Sequence, residues 1–233
     1  MAIYAMGDFH LSESVPKPMD VFGGVWRGYR QKIIDGLEAV GLKDEDVLVV
    51  AGDFSWGISL KESLADFRFL DTYPGKKLLL KGNHDLWWQT VRKMKGFFAE
   101  NGIKTIDFLH NNCYIYEGIG LCGTRGWFFE EERGDAHDRK MLSREMIRLE
   151  KSLSDAQKAG AERLYAFLHY PPMYGSYRCD EMIDILRRYR VKRCYYGHLH
   201  GGAHALARQG VYDGVDYRLI AADYLHFLPV RVD

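Results

Sequence analysis

Five short apolar runs in this chain each stop on polar residues suited to binding a metal or moving a proton. Residues 3–6 lead into Gly7-Asp8-Phe9-His10, and residues 47–51 into Gly52-Asp53. Residues 77–81 lead into Gly82-Asn83-His84-Asp85, residues 164–168 into His169, and residues 193–196 into Gly197-His198-Leu199-His200. Short, continuous apolar runs are the pattern of strands buried on both faces. Between and around them lie segments of helical period at 29–40, 60–70, 86–100, 139–159 and 180–189. Strands alternating with helices predict an α/β fold. Further strands are expected at 113–116 and 119–123. Short strands and turns follow residue 203, with Gln209-Gly210 and Asp213-Gly214 as turn signals.

In open α/β sheets, ligands bind beyond the carboxyl ends of the strands. That rule makes Asp8, His10, Asp53, Asn83, His169, His198 and His200 candidate metal ligands. Five of the nine histidines fall at these strand ends, which is hard to reconcile with chance. Asp8 and His10 are two apart, so in extended backbone their side chains leave on one side. His198 and His200 repeat the spacing. Seven ligands are too many for one ion, but two ions sharing a carboxylate can use them. Asp53, with no local partner, is the natural bridge. The glycines before Asp8, Asp53, Asn83 and His198 allow sharp turns and close backbone approach. Asp85 either orients a neighbour or caps the following helix, and the cap is the simpler reading.

Composition narrows the function. The chain has 233 residues, with 32 Lys plus Arg against 32 Asp plus Glu. This length suits one domain spanning residues 1–233, and zero formal charge argues against a dedicated nucleic-acid binder. No apolar stretch approaches the roughly 20 residues of a membrane-spanning helix. The first residues lack a basic stretch and a long apolar run, so a cytoplasmic protein is expected. Cys113, Cys122, Cys179 and Cys194 form no Cys-x-x-Cys pair and read as reduced thiols.

Gly-Asp-Phe-His, Gly-Asp, Gly-Asn-His-Asp, the His before Tyr-Pro-Pro, and Gly-His-Leu-His occur in the order found in calcineurin-like metallophosphoesterases. The resemblance runs from Asp8 to His200. It implies a four-layer α-β-β-α sandwich of two mixed sheets flanked by helices. It also implies two metal ions: Asp8, His10, Asp53 and His200 around one, and Asp53, Asn83, His169 and His198 around the other. The donor set suits Mn, Fe or Zn. The family mechanism uses a hydroxide between the metals for in-line displacement at phosphorus. His84 resembles the family histidine that is not a ligand and would contact phosphate and protonate the leaving group.

Departures from the family pattern limit the substrate. Residues 52–57 lack the arginine that protein phosphatases carry at Gly-Asp-x-Val-Asp-Arg-Gly. His169-Tyr170-Pro171-Pro172 resembles the His-His-Pro-Pro of cyclic-nucleotide phosphodiesterases. Retention of His84 makes the branch that cleaves UDP-diacylglucosamine less favoured. The expected substrate is a small-molecule phosphoester such as a nucleotide, cleaved by phosphodiesterase or phosphatase action. A nuclease and a non-catalytic scaffold of the same fold are the alternatives. Substrate contacts are expected from the segments 11–30 and 126–138 and from the residues beside them, with Arg125, Trp127 and Trp26 as candidates. The run 130–133 reads as a solvated loop.

Overall fold

The computed structural model describes residues 1–127 and 135–233. The run 130–133 and most of the 126–138 segment lie outside the described residues. The chain divides into two compact units, Met1–Phe108 with Ile220–Asp233, and Leu109–Leu219.

The first unit opens with four strands, β1 (Ile3–Met6), β2 (Val47–Val50), β3 (Lys76–Leu79) and β4 (Ile106–Phe108). They pair in parallel, in that order. Parallel neighbours need crossovers, and α1 (Tyr29–Val40), α2 (Leu64–Asp71) and α3 (Val91–Glu100) provide them. All four residues of β2 are buried, as its unbroken apolar run requires. Helix α1 turns Ile33 and Leu37 inward, one helical turn apart. The core beneath holds a cluster of stacked and edge-on aromatic rings. Phe67 stacks on Phe54 at 5.5 Å and meets Trp87 and Phe98 edge-on at 4.9 and 4.8 Å.

Helix α1 also packs tightly enough to demand a glycine. A Cβ on Gly36 would lie 1.9 Å from the carbonyl oxygen of Phe227. Gly36→Ala is therefore expected to force the helix off the 227–228 backbone. The cost should be about 2–4 kcal/mol despite alanine's better helix propensity. Urea denaturation checks it; a stabilised variant would show that the backbone yields freely.

The second unit carries β5 (Cys113–Tyr116), β6 (Ile119–Thr124), β7 (Arg163–Leu168), the hairpin strands β8 (Met173–Tyr174) and β9 (Tyr177–Arg178), β10 (Arg193–Tyr196), β11 (Gly210–Tyr212) and β12 (Val215–Leu219). The main sheet has the order β11-β12-β10-β7-β6-β5, parallel at its centre and antiparallel at both edges. Both edge hairpins turn through two residues of positive φ, Glu117-Gly118 and Asp213-Gly214. That geometry matches strand twist, and the second turn is one the sequence signalled. Helix α4 (Ala136–Lys158) starts with a capping box between Asp135 and Asp138. It packs on β5, β6 and β7 and against α5 (Asp180–Arg188). The chain then returns to the first unit, where β13 (Val230–Arg231) pairs antiparallel with β1.

The result is an α/β protein with two large mixed sheets flanked by helices, as the resemblance implied. Among the described residues, no helix is long and apolar enough to cross a membrane. The four cysteines are free thiols, and burial raises the Cys179 thiol pKa to about 11. The helix expected at 86–100 starts only at Val91, because Thr90 accepts from the backbone N–H of Lys93 and caps it. Strands β4, β8 and β9 have two or three residues each, too few for a period to register.

Candidate metal centre

In the first unit, the loops after β1, β2 and β3 gather the candidate residues. The first two run side by side. Asp8 and His10 donate backbone N–H to the carbonyls of Gly52 and Asp53, both at 2.9 Å. Asp8 and His10 do not take the extended backbone that their spacing implied: Asp8 has φ 60°, His10 φ 50° and Asp53 φ 49°. Residues with a Cβ in this region cost about 1–2 kcal/mol each, and such strain collects at functional sites. Asp8 and His10 still offer ligand atoms within 4.8 Å of one another, as do Asp8 and Asp53. His10 Nε2 lies 3.8 Å from Asp53 Oδ2. Turning backbone, rather than strand alternation, brings these groups together.

The loop after β3 closes on Asp53. His84 donates its backbone N–H to Asp53 Oδ1 at 2.7 Å. A Cβ on Gly82 would sit 2.0 Å from that same oxygen and 2.2 Å from the Asp53 nitrogen, so only glycine permits the approach. Asn83 is half-buried in this loop.

Asp85 turns out to be a brace and not a helix cap. It is fully buried, and α3 begins six residues later with its own cap. Asp85 Oδ2 accepts from the N–H groups of Asp53 at 2.9 Å and Gly82 at 2.7 Å. Asp85 Oδ1 accepts from Phe54 N at 2.9 Å, Ser55 N at 3.3 Å and the Trp87 indole at 3.0 Å. Burial pushes this carboxyl up, while the hydrogen bonds from Gly82, Ser55, Phe54 and Trp87 favour its charged form. One side chain thus fixes the backbone on both sides of Asp53.

Behind this loop, Ser55 Oγ donates to Asp66, which also accepts from the Glu13 N–H at 2.9 Å. Burial raises the Asp66 pKa to about 6 from 3.8. The folded state therefore holds the Asp66 proton more tightly than the unfolded chain. Its contribution to stability is present below pH 4 and is lost as pH rises through 6, by about 3 kcal/mol. Asp66→Asn should lack this dependence. Urea midpoints of metal-stripped wild type and variant, compared at pH 4.5 and 7, should diverge in the variant's favour toward neutrality. A constant difference would sink the assignment.

Three rings cluster on the same side of the unit. Trp56 stacks on His10 at 4.9 Å and lies 4.4 Å from His84, tilted by 49°. His84 itself is exposed. Trp26 is buried, with His10 and Phe227 at its ring edges. It backs a candidate ligand and has little surface to offer a substrate. No spacing in the sequence marks Trp56 as a ring that joins two histidines from different loops.

In the second unit, His169 follows β7, and His198 and His200 follow β10. The rings of His169 and His198 meet edge-on at 5.1 Å, and Tyr170 lies 4.5 Å from His198. Gly197 donates its N–H to the His169 carbonyl at 3.1 Å, tying the two loops. His198 also takes positive φ, at 73°, whereas His200 is extended, so this pair does not share one geometry either. His200 and His204 offer nitrogens within 4.8 Å of one another. His204 belongs to none of the sequence motifs, so nothing in the sequence marks it. The Arg125 carbonyl accepts from His169 N at 3.1 Å and Tyr170 N at 3.0 Å. Its guanidinium lies 4.3 Å from the Trp127 ring centre. Arg125 and Trp127 therefore stand beside the His169 loop.

The donor chemistry fits a hard or borderline cation. Asp8 and Asp53 are buried carboxylates close enough to repel, and a positive ion between them relieves that cost. The first 202 residues match the family model described as calcineurin-like phosphoesterase. The chain belongs to that family. Metal-dependent hydrolysis of phosphoric esters is the family's activity. No curated protein matches the chain. The solved structure of protein AQ665 from Aquifex aeolicus shares its fold, with a TM-score of 0.52, 17% identity, and coverage of 99% of this chain and 95% of that one. The calcineurin-like phosphoesterase YfkN from Bacillus subtilis aligns with a TM-score of 0.49 at 14% identity, over 94% of this chain and 80% of that one.

Proposed function

We propose that this calcineurin-like phosphoesterase works as one catalytic domain over residues 1–233 and hydrolyses a small-molecule phosphoester with two metal ions. Asp8, His10, Asp53 and His200 would hold one ion, and Asp53, Asn83, His169 and His198 the other. Manganese, iron and zinc all suit these nitrogen and oxygen donors. The observation that carries the reading is the convergence of the Asp8, His10 and Asp53 ligand atoms from loops whose backbone conformations cost energy. When bound, the metals supply charge at phosphorus and a water acidified toward neutrality.

The chain's own residues do the rest. Asp53 is fixed by His84 N–H at Oδ1, and its backbone by Asp85, so its carboxylate is presented in one orientation. His84 is exposed and flanked by Trp56; its imidazole would touch a phosphate oxygen and pass a proton to the departing oxygen. Arg125 would take a further phosphate charge. Trp127 and Trp26 are weaker candidates, and Trp26 would act by positioning His10. A cytoplasmic location fits the free thiols.

The test is hydrolysis of bis-p-nitrophenyl phosphate beside p-nitrophenyl phosphate, by metal-stripped protein with Mn²⁺ restored. Metal-dependent turnover is expected, faster for the diester if the protein is a phosphodiesterase. Inertness toward both esters with two metals verified bound would remove the catalytic reading in favour of a scaffold.

A further inference from the structure

His84 also lines a cleft of 540 Å³ within the first unit, a volume typical of small-molecule sites. Its walls are apolar. Phe22, Ile58 and Leu86 line it and remain 57%, 64% and 67% exposed, an unusual outlay of large apolar side chains in water. Each comes from the stretch that follows a candidate ligand: Phe22 after Asp8 and His10, Ile58 after Asp53, and Leu86 after Asn83. Trp56 forms a further wall, and Lys17 Nζ lies 4.4 Å from its ring centre. Glu62, the acid in the lining, accepts from the Ile58 N–H at 3.0 Å and is engaged in holding its own loop.

Such a cleft has little with which to read a sugar or a base edge by hydrogen bonding. It has much with which to hold a hydrocarbon, and a lysine that suits an anionic head. We infer that this cleft receives the apolar organic group of the substrate, making the preferred substrate an amphiphilic phosphoester with an alkyl, acyl or aryl arm. The inference rests on the phosphoester reading above and assigns the 11–30 segment the role of an apolar wall.

Alkyl phosphonates test it, because their carbon–phosphorus bond survives the enzyme. Calorimetric titration of Mn²⁺-loaded protein with methyl-, butyl- and octylphosphonate should show affinity rising with chain length. The limit is about fourfold per fully buried methylene, and the rise from methyl to butyl should be at least about tenfold. The binding heat capacity should become more negative along the series. Phe22→Ser and Leu86→Ser, both at exposed positions, should flatten the series. Val211→Ser, exposed in the second unit, should leave it unchanged. Equal affinity for methyl and octyl, a slope that survives both cleft variants, or no phosphonate binding would each overturn the inference. The p-nitrophenyl assay on the same preparations separates the two readings. A steep series without metal-dependent turnover removes the hydrolase and keeps the cleft, while turnover with a flat series does the reverse.

Discussion

Asp85→Ala is expected to destabilise the protein by at least 3–5 kcal/mol and to abolish stable metal retention. The variant leaves five buried donors without their acceptor: the N–H groups of Asp53, Phe54, Ser55 and Gly82, and the Trp87 indole. Each orphaned donor costs about 1–3 kcal/mol before relaxation. A typical domain has only about 5–15 kcal/mol in total. Asp85→Asn keeps one oxygen but turns an amide toward donors, so it should fall between the variant and wild type. Urea denaturation and metal analysis of the purified proteins give both quantities. An alanine variant within 1 kcal/mol of wild type, with metal retained, would show that the loop around Asp53 holds itself.

His84→Ala is expected to lower kcat by about 10²- to 10⁴-fold with metal content unchanged. The separation is possible because His84 contributes two things. Its backbone N–H, which alanine keeps, fixes Asp53 Oδ1. Its exposed imidazole, which alanine removes, is the part assigned to proton transfer. Asp53→Ala is the counterpart and should lose metal and activity together. If His84→Ala also lost metal, the imidazole would have to be reassigned as a ligand. An unchanged kcat would remove its role in proton transfer.

Both predictions depend on loops, and the loops divide what sequence could and could not reveal. The strands ending at Met6, Val50, Leu79, Leu168 and Tyr196 were legible because burial on both faces writes a continuous apolar run. The candidate ligands were legible as candidates because they follow those runs, four of them directly behind a glycine. What the sequence hid is conformational. Nothing in Gly-Asp-Phe-His says that Asp8 and His10 take positive φ, because that state is imposed by backbone hydrogen bonds to a loop some forty residues away. The brace at Asp85 was hidden for the same reason. A buried acid near a helix start looks like a cap until its five donors are seen. Gly82 was marked as permissive, whereas the space beside Asp53 makes it obligatory.

The first unit is interrupted in sequence: residues 109–219 separate its two pieces. Phe227, which packs on Gly36 and Trp26, and β13, which completes the sheet beside β1, both belong to the later piece. On a translating ribosome the early strands therefore wait for their closing segment on the order of 5–20 s at ordinary synthesis rates. Throughout that interval the β1 edge is open to other chains and the pocket for Phe227 is unfilled. The second unit, continuous in sequence, faces no such delay. Nascent-chain aggregation should thus arise from the half that carries Asp8, His10 and Asp53. Chaperone demand should persist at least until residues 220–233 emerge.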